Sequence, residues 1–284
     1  MKNLSVIYKK KDLRKFVQSI NGTIGLVPTM GALHKGHKSL IEAANKENDN
    51  VIVSVFVNPV QFLPDEDYDK YPRNLEADIE LAKEAGADVI FAPSPDEMYT
   101  KIYFEEKETT LVCPPYKYVN RLCGKSRPGH FDGVCTVVSK LFNLSSANRA
   151  YFGKKDAQQL FIIRKMAEEL DFNIEIKECP IVREQDGLAI SSRNSYLSEI
   201  DRKKAVNISR ALKKAKELSD KGIKQSSTLI DTALSYLNGF DVDYVEIVSL
   251  EDFTKIDTIK DKVLMLIAAK TPDKKVRLID NIEL

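Results

Sequence analysis

The sequence is poor in the features that mark several other classes of protein. Its 284 residues include only three histidines and four cysteines. No apolar run is long enough to cross a bilayer, so we expect no membrane partner. The first fifteen residues are polar and rich in lysine, without the apolar core of a secretory signal, and this pattern predicts a cytoplasmic location.

The sequence also lacks an excess of charge of either sign. Lysine and arginine total 43 and aspartate and glutamate total 42, for a formal net charge of +1. A general nucleic-acid binder needs a basic excess to release counterions from phosphates, so we expect no nucleic-acid partner. A balanced chain can still hold a local basic pocket for one nucleotide.

The four cysteines show no metal-binding or redox pattern. Cys113, Cys123, Cys135 and Cys179 form no C-x-x-C pair and have no zinc spacing. Because disulfides are rare in cytosolic proteins, we expect reduced thiols. The sequence pattern names no metal ligands.

Over residues 1–179, short apolar runs alternate with helical patterns. The runs at residues 24–27, 51–57 and 89–92 are nearly continuous, which is typical of strands buried on both faces. This order predicts an α/β fold, with a Rossmann-like parallel-sheet N-terminal domain and right-handed crossovers. Ligands in such sheets bind at the carboxyl ends of the strands, near a topological switch point.

Local signals place several helices and one long loop in this domain. Pro72 is predicted to be the first residue of a helix that ends before Gly86. Another helix is predicted over residues 134–144, and a third begins at Asp156, which is placed to cap it. Residues 100–131 are irregular and rich in proline and glycine, so we expect a functional loop there.

Residues 180–284 have a different pattern and predict a smaller α+β C-terminal domain. Ser198 is placed to cap a long helix, with the side chain of Asp201 reaching back to the cap from the third helical position. Strand-like runs follow at residues 244–248, 263–269 and 276–282.

The segment at residues 28–37 lies between a buried strand and a helix. Gly31 permits a tight turn, and Gly36 lets a ligand approach the backbone. A helix start offers unpaired N–H groups and a positive dipole end, which suit a phosphate. His34 and His37 lie one turn apart and can donate hydrogen bonds to phosphate oxygens. Two surface histidines on a polar helix are the alternative, which the strand-end position disfavours.

Amide side chains follow the next strand. Asn58 and Gln61 can each donate and accept, which suits a neutral hydroxy acid or amide. An Asn-Pro turn would use the same residues, and this alternative stays open. A third segment, residues 127–133, is a loop with a basic residue and the third histidine. His130 is either a ligand contact or a structural histidine bonded to Asp132 or to the backbone.

A third strand end carries residues typical of a nucleotide site. Gly153 is followed by Lys154, Lys155 and Asp156, of which the aspartate can bind ribose hydroxyls and a lysine can offset phosphate charge. Gln159 lies one helical turn further and would contact the same pocket. A charged helix start is the alternative, and Lys154 fits that interpretation by itself.

A fifth segment lies in the second domain. Ser191 and Ser192 precede Arg193, and together they provide neutral donors and one planar cation for a polyphosphate. Taken alone the signal is weak, because serine-rich turns are common.

These five segments, in this order and spacing, resemble the pantothenate synthetase (pantoate–β-alanine ligase) family of the nucleotidyltransferase superfamily. Further matching stretches lie at residues 71–73, 136–143, 186–189 and 277–281. The resemblance implies a Rossmann-like ATP- and pantoate-binding catalytic domain over residues 1–179. It also implies a smaller lid domain over residues 180–284 and assembly as a homodimer.

The activity that the resemblance implies has two steps. ATP and (R)-pantoate give pantoyl adenylate and pyrophosphate, and β-alanine then displaces AMP to give pantothenate. ATP is bound with Mg²⁺, so the expected partners are small molecules: ATP, pantoate and β-alanine. The product would feed coenzyme A biosynthesis.

The resemblance also implies a role for each residue of the five segments. His37, as the proton donor, His34 and Lys155 are implied to be catalytic. The implied residues for pantoate and β-alanine are Gln61, Gln159 and Asn58. The implied ATP-binding residues are Met30, Gly31, Ala32, Leu33, His34, Lys35, Gly36, His37, Gly153, Lys154, Lys155, Asp156, Val182, Ile190, Ser191, Ser192 and Arg193.

Two rival interpretations fit less well. A related nucleotidyltransferase acting on a phosphorylated substrate would need more arginine or lysine in place of the three amide side chains. A non-catalytic nucleotide-binding regulator would not need both histidines together with Lys155 and Arg193. Lys35 and Lys38 stand where acidic or neutral residues are common in relatives, which would change ATP affinity rather than geometry.

Overall fold

The computed structural model describes residues 4–64, 66–100, 103 and 108–284. The chain forms two compact units. The first comprises Met1–Lys154 and Gln159–Pro180, and the second comprises Lys155–Gln158 and Ile181–Leu284. The short segment Lys155–Gln158 therefore groups with the C-terminal residues, although the sequence division at 179/180 assigned it to the N-terminal domain.

A six-stranded sheet, parallel at every pairing, forms the centre of the first unit. In chain order β1 to β6 are Ser5–Ile7, Ile24–Thr29, Asn50–Val55, Val89–Phe91, Arg149–Gly153 and Glu175–Cys179. Their order across the sheet is β1-β4-β3-β2-β5-β6, which confirms the predicted α/β fold. The chain continues from β2 to β3 on one side, whereas β5 lies on the other. The topological switch point is therefore between β2 and β5.

Helices connect these strands. In chain order α1 to α8 are Lys10–Ser19, Lys35–Glu47, Leu75–Glu84, Pro95–Met98, Tyr116–Val119, Leu122–Ser126, His130–Ser145 and Ala157–Glu169. The region predicted as an irregular loop, residues 100–131, thus contains α5 and α6. Residues 101, 102 and 104–107 of that region lie outside the described residues. The helix predicted over 134–144 begins earlier, at His130.

The apolar runs of β2 and β3 form the centre of one core in the first unit. Val27, Val51 and Val53 are completely buried and cluster with Ile41 and Ala44 of α2. The buried positions of α2 recur at the spacing of one helical face. Burial of each Val or Ile side chain is worth roughly 1.5–3 kcal/mol, so this packing holds the ends of β2 and β3 in place.

The sequence patterns did not predict β1 or α1. β1 is a three-residue edge strand without a fully buried residue. α1 is rich in lysine and buries only Leu13. β1 is too short to show a periodic pattern. α1 does carry apolar residues on one face, with Leu13, Phe16 and Val17 at helical spacing, so its helix could have been predicted from the sequence.

The helix predicted to begin at Pro72 begins three residues later, so that prediction was wrong. Asn74 is the N-cap of α3, and its side chain accepts the N–H of Ala77 at 3.1 Å. Pro72 lies in the preceding turn, where Arg73 donates to the carbonyl of Tyr71 at 3.1 Å. An asparagine side chain satisfies an N–H at a helix start, which proline cannot do, and the cap sets the boundary.

The second unit packs two helices on an antiparallel sheet, which confirms the predicted α+β pattern. α9 and α10 are Glu199–Asp220 and Ser226–Leu234, and β7, β8 and β9 are Asp241–Ser249, Val263–Lys270 and Arg277–Glu283. β8 is the central strand, and seven of its eight residues are buried. Its apolar run therefore forms the middle of this unit's core.

The capping box predicted at the start of α9 is only half present. Ser198 accepts the N–H of Asp201 at 3.2 Å, as expected. The Asp201 side chain does not reach back; it accepts from Thr271 Oγ1 at 2.7 Å and from the N–H groups of Asp273 and Lys274. Three donors in the β8–β9 turn satisfy a buried carboxylate better than one exposed cap N–H would, so the turn takes the side chain.

The cysteines agree with the expectation of reduced thiols. All four cysteines are free thiols. Cys135 is buried on α7, and burial raises its pKa to about 12, which keeps the thiol protonated. Within the described ranges, no helix combines the length and the apolar character that a membrane crossing requires.

Candidate active site

α2 begins at the carboxyl end of β2, and two histidines cap its first turn. His34 is the N-cap, and its Nδ1 accepts the N–H of Gly36 at 3.1 Å. The Nδ1 of His37 accepts the N–H of His34 at 3.4 Å. The two rings stack with their centroids 4.0 Å apart. They form a reciprocal cap of the kind that serine and glutamate make in other helices.

These two hydrogen bonds determine the tautomer of each ring. A backbone N–H can only donate, so the Nδ1 atoms of His34 and His37 must each carry a lone pair. The hydrogen of each neutral imidazole is then on Nε2. Two Nε2–H donors therefore accompany the positive end of the α2 dipole, which is a favourable arrangement for an anion. Of the flanking lysines, Lys35 is exposed, and Lys38 pairs with Glu84 at 3.0 Å.

A buried carboxylate holds the loop that precedes this cap. Asp78 on α3 is only 3% exposed, and its oxygens accept the N–H groups of Ala32 at 3.1 Å and Leu33 at 2.6 Å. Gly31 and Ala32 have φ angles of +82° and +50°, so the chain reverses here. The carboxylate fixes this reversal and thereby the position of His34.

Asp78 was not among the predicted site residues, although the sequence carried a signal. It shares one face of α3 with Leu75 and Ala82, so it is an acidic residue in an otherwise apolar stripe. Burial raises its pKa, and the hydrogen bonds from Leu33 and Ala32 oppose that shift in part.

Asn58, after β3, is buried, and its side-chain amide is fully hydrogen-bonded within the protein. Nδ2 donates to Gln61 Oε1 and to the Gly133 carbonyl, each at 3.0 Å. Oδ1 accepts from the Tyr99 hydroxyl at 2.6 Å and from the Val60 N–H at 3.3 Å. An amide with two donors and two lone pairs engaged orients a neighbour rather than binding a ligand. Burial raises the pKa of Tyr99, so its hydroxyl stays a donor.

Gln61 ends a short 3-10 turn and connects two strand ends. Its Nε2 lies 2.9 Å from the sulfur of Met30, in the loop after β2. Its carbonyl oxygen lies 2.8 Å from Nδ1 of His130, whose Nε2 lies 2.8 Å from Arg127 Nη1. Of the alternatives for His130, the structure shows the histidine bonded to the backbone.

A cavity of about 240 Å³ lies at the same edge of the sheet. Residues that follow β2, β3 and β4 line it, together with the start of α3; among them are Met30, Phe56, Arg73, Asp78 and Pro93. The volume is below the roughly 300–1,000 Å³ of pockets for drug-sized ligands. Met30 and Gly31 are the predicted site residues in the lining of the cavity, which does not include Gln61.

The two lysines after β5 have different partners. Lys154 Nζ lies 3.5 Å from Glu178 of β6, so its charge is engaged within the first unit. Lys155 belongs to the second unit, where its Nζ lies 3.5 Å from Asp156. The backbone carbonyl of Lys155 accepts from Asn281 Nδ2 at 3.0 Å. The last strand, β9, therefore holds the backbone at this lysine.

The remaining ATP-site residues predicted in the second unit lie on one hairpin and the turn after it. The hairpin is closed by a bridge between Arg183 and Ala189 and by a 3.0 Å bond from the Ile190 N–H to the Val182 carbonyl. Ser191 then starts a 3-10 turn, Ser192–Tyr196, by accepting the N–H of Arg193 at 3.3 Å.

The structure thus brings Met30 and Asn58 each into direct contact with Gln61 in the first unit, next to the strand that leads to the histidine pair. Gln159 is half-buried in the first turn of α8. It follows β5, which pairs with β2 in the sheet. Residues after three adjacent strands, β3, β2 and β5, therefore share the carboxyl edge of the sheet.

This fold and this edge define the class of protein: an α/β enzyme of the nucleotide-binding type, with an H-x-G-H helix start beside the switch point. The chain belongs to the pantoate–β-alanine ligase family, whose family model matches residues 5–283. Membership makes it a ligase of pantothenate biosynthesis, which confirms the predicted family and enzyme class.

Individual relatives support the same membership. The chain is 52% identical over 262 residues to the pantothenate synthetase of Clostridium novyi, covering 91% of this chain and 90% of that one. It is 48% identical over 286 residues to the pantothenate synthetase of Clostridium acetobutylicum, covering 98% of each. Each relative is matched over nearly its whole length.

Solved structures give the same result for the fold. The crystal structure of pantothenate synthetase from Thermus thermophilus matches with a TM-score of 0.91 and 41% identity, covering 99% of each chain. The pantoate–β-alanine ligase of Francisella tularensis, in a complex with βγ-ATP and β-alanine, matches with a TM-score of 0.79 and 34% identity. That match covers 99% of this chain and 97% of the other.

Proposed function

We propose that this enzyme condenses (R)-pantoate with β-alanine at the expense of ATP, through a pantoyl-adenylate intermediate, and releases AMP and pyrophosphate. The observation that carries the proposal is the stacked pair of His34 and His37 at the start of α2. Both rings are held as Nε2–H donors by backbone hydrogen bonds. A donor pair at a helix N-terminus beside the switch point is what a polyphosphate needs.

In the first step a carboxylate oxygen of pantoate attacks the α-phosphorus of ATP. A P–O bond to the acyl group forms, the bond from the α-phosphorus to the bridging oxygen breaks, and pyrophosphate leaves with the electron pair. His34 and His37 would donate hydrogen bonds from Nε2 to phosphate oxygens on which charge develops. The proton-donor role that the resemblance implies for His37 would require its imidazolium form, in which Nδ1 carries a hydrogen and no longer accepts the N–H of His34. Because the imidazoles are held before the substrate arrives, little reorganisation is needed at the moment of reaction.

Pantoate would be recognised by the amides of Gln61 and Gln159, which offer donors and acceptors to its hydroxyl and carboxylate groups. Asn58 would act differently, because its amide is already engaged by four partners within the protein. Its role would be to hold Gln61 in one rotamer. A misplacement of about 1 Å at such a contact can cost on the order of a hundredfold in rate.

In the second step the amine nitrogen of β-alanine attacks the acyl carbon of the adenylate. The C–N bond forms, the acyl–oxygen bond breaks and AMP leaves, while the ammonium proton passes to solvent. No residue forms a covalent bond with substrate, because ATP supplies the leaving group in both steps. The protein contributes alignment and exclusion of water from the mixed anhydride.

The other residues that the resemblance assigns to ATP are Gly153 of the first unit and several residues of the second unit. Lys155 would offset phosphate charge, Asp156 and Gly153 would bind the ribose, and Arg193 would hold the triphosphate with its neighbouring serines. We also expect the second unit to act as a lid and the protein to form a homodimer in the cytoplasm. These three expectations stay predictions.

Mg²⁺ fits this site as a partner of ATP rather than of the protein. The part of the chain that the structure describes has no group of three or more His, Cys, Asp or Glu side chains placed to bind a metal. Mg²⁺ commonly keeps several waters and binds through substrate phosphates. It would supply charge neutralisation on the phosphates, and the histidine pair would act beside it.

The test separates the two half-reactions. Purified protein is given ATP, Mg²⁺ and pantoate, and exchange of labelled pyrophosphate into ATP is followed with and without pantoate. AMP formation is then followed on adding β-alanine. We expect pantoate-dependent exchange without the amine, and AMP release only with all three substrates. Absence of pantoate-dependent exchange, with ATP binding intact, would exclude the proposed reaction.

A further inference from the structure

His130 is a buried histidine at the start of α7, in a segment that the proposed function does not use. It is 8% exposed, and both ring nitrogens contact protein atoms. Nε2 lies 2.8 Å from Arg127 Nη1, and Nδ1 lies 2.8 Å from the carbonyl oxygen of Gln61. Its contacts thus lead directly to a residue assigned to pantoate.

The contact with Arg127 determines which nitrogen of His130 carries the hydrogen. A guanidinium has five N–H donors, no acceptor, and does not lose its proton in proteins. The 2.8 Å contact therefore requires a lone pair on Nε2 of His130. Its hydrogen must be on Nδ1, which donates to the carbonyl oxygen of Gln61. This tautomer is the opposite of the one held at His34 and His37.

Glu66 fixes the guanidinium in turn. Its two carboxylate oxygens each lie 2.5 Å from Arg127, one from Nε and one from Nη2. The side chains of Glu66 and Arg127 are only 21% and 15% exposed, so solvent screens this pair little. A planar, two-point pair directs Nη1 towards His130. Nη2 of Arg127 also lies 3.5 Å from the Gln61 carbonyl oxygen, a longer contact than the 2.8 Å from Nδ1 of His130 to the same oxygen.

We infer that His130 is a positioning residue for Gln61, and that Arg127 and Glu66 act through it as a relay. The relay fixes the backbone of Gln61, while Asn58 and Met30 fix its side chain. With both ring nitrogens committed to the relay, His130 acts through Gln61 and makes no contact with substrate. The inference rests on the proposed function where it takes Gln61 as a pantoate contact.

The tautomers give a test that does not depend on activity. The chain has three histidines, so long-range ¹H–¹⁵N spectra of protein labelled in histidine resolve every ring. We expect an Nδ1–H tautomer at His130 and Nε2–H tautomers at His34 and His37. An Nε2–H tautomer at His130 overturns the relay, whatever the enzyme catalyses. So does a spectrum of His130 that Arg127→Leu leaves unchanged.

Two isosteric variants then test the role in catalysis. His130→Asn keeps a donor near the Nδ1 position, and His130→Gln keeps polar atoms near the Nε2 position. We expect the KM for pantoate to rise roughly tenfold in His130→Gln, as for a lost hydrogen bond, and about threefold in His130→Asn. The two variants should have the same KM for ATP and the same melting temperature.

A purely structural role predicts a different result. It would lower the melting temperature or kcat in both variants without separating their KM values for pantoate, and that outcome overturns the inference. Arg127→Leu should raise the pantoate KM in the wild-type background and have a smaller effect in the His130→Asn background; equal effects also overturn it. A wild-type enzyme without pantoate-dependent exchange contradicts the proposed function instead, and the histidine spectra still decide the relay.

Discussion

The substitution Gly133→Ala tests how closely α7 approaches the turn that carries Gln61. Gly133 lies in the first turn of α7, and its carbonyl accepts from Asn58. A Cβ built there would lie 2.6 Å from the Cα and N of Gln61 and from the carbonyl carbon of Val60. These are backbone atoms and cannot swing aside.

Two effects of this substitution oppose each other. Alanine is favoured over glycine in a helix interior by about 1 kcal/mol. Against this, the new Cβ is about 0.8 Å closer to three backbone atoms than the 3.4 Å at which ordinary contact begins. Overpacking of this kind costs roughly 1–3 kcal/mol, so we expect the steric effect to win. We expect the three-residue turn that ends at Gln61 to move, rather than the 16-residue helix α7.

The catalytic effect should exceed the effect on stability. A displacement of Gln61 by about 0.8 Å approaches the 1 Å misplacement that costs on the order of a hundredfold. We expect kcat/KM for pantoate to fall roughly 30- to 100-fold, measured by pyrophosphate release at varied pantoate concentration. The melting temperature should fall by at most about 2–8 °C.

Asn143→Ala is the matched control for this prediction. Asn143 is an exposed residue of the same helix, so the change brings the helix preference of alanine without the close approach. It should leave kcat/KM unchanged and the melting temperature equal or slightly higher. If Gly133→Ala behaves like Asn143→Ala, the approach of α7 does not position Gln61 and the reasoning fails.

Three further predictions concern other parts of the molecule. His37→Ala should lower kcat by roughly 10²–10³-fold in steady-state assays, as for a lost transition-state donor; an unchanged kcat removes His37 from the mechanism. Burial by itself would raise the pKa of Asp201, but hydrogen bonds from the β8–β9 turn lower it overall. The ionised carboxylate therefore stabilises the fold at pH values above its unfolded pKa near 3.8, and this stabilisation is lost as the pH falls from there through the lower folded pKa. In acid titrations followed by circular dichroism, Asp201→Asn should lose less stability than wild type as the pH falls. The same pH dependence in variant and wild type would contradict this assignment. Asn281→Ala should raise the KM for ATP several-fold by releasing the backbone of Lys155, and Asn281→Asp, which cannot donate, should do the same; a KM for ATP equal to wild type in both excludes the role.

Much of the fold was predictable from the sequence for a local reason. Buried strands such as β3 appear in the sequence as continuous apolar runs, because both faces of a central parallel strand are covered. The strand–turn–helix around His34 is equally local, since its glycines and its cap lie within ten residues of each other. The alternation of such units was enough to predict a parallel sheet and the edge at which ligands bind.

What the sequence alone left open is which polar side chains meet. Three hydrogen bonds join residues that are distant in sequence. Asp78 and Leu33 are 45 positions apart, His130 and Gln61 are 69 apart, and Asn58 and Gly133 are 75 apart. No periodicity encodes such pairs, because a hydrogen bond depends on atom positions within tenths of an ångström. Chain folding therefore gave the Asn58 amide four partners within the protein, and gave His130 hydrogen-bond partners that call for the opposite tautomer to His34 and His37. The apolar pattern determined the strands and helices, and the tertiary structure determined which polar side chains are hydrogen-bonded at the carboxyl edge of the sheet.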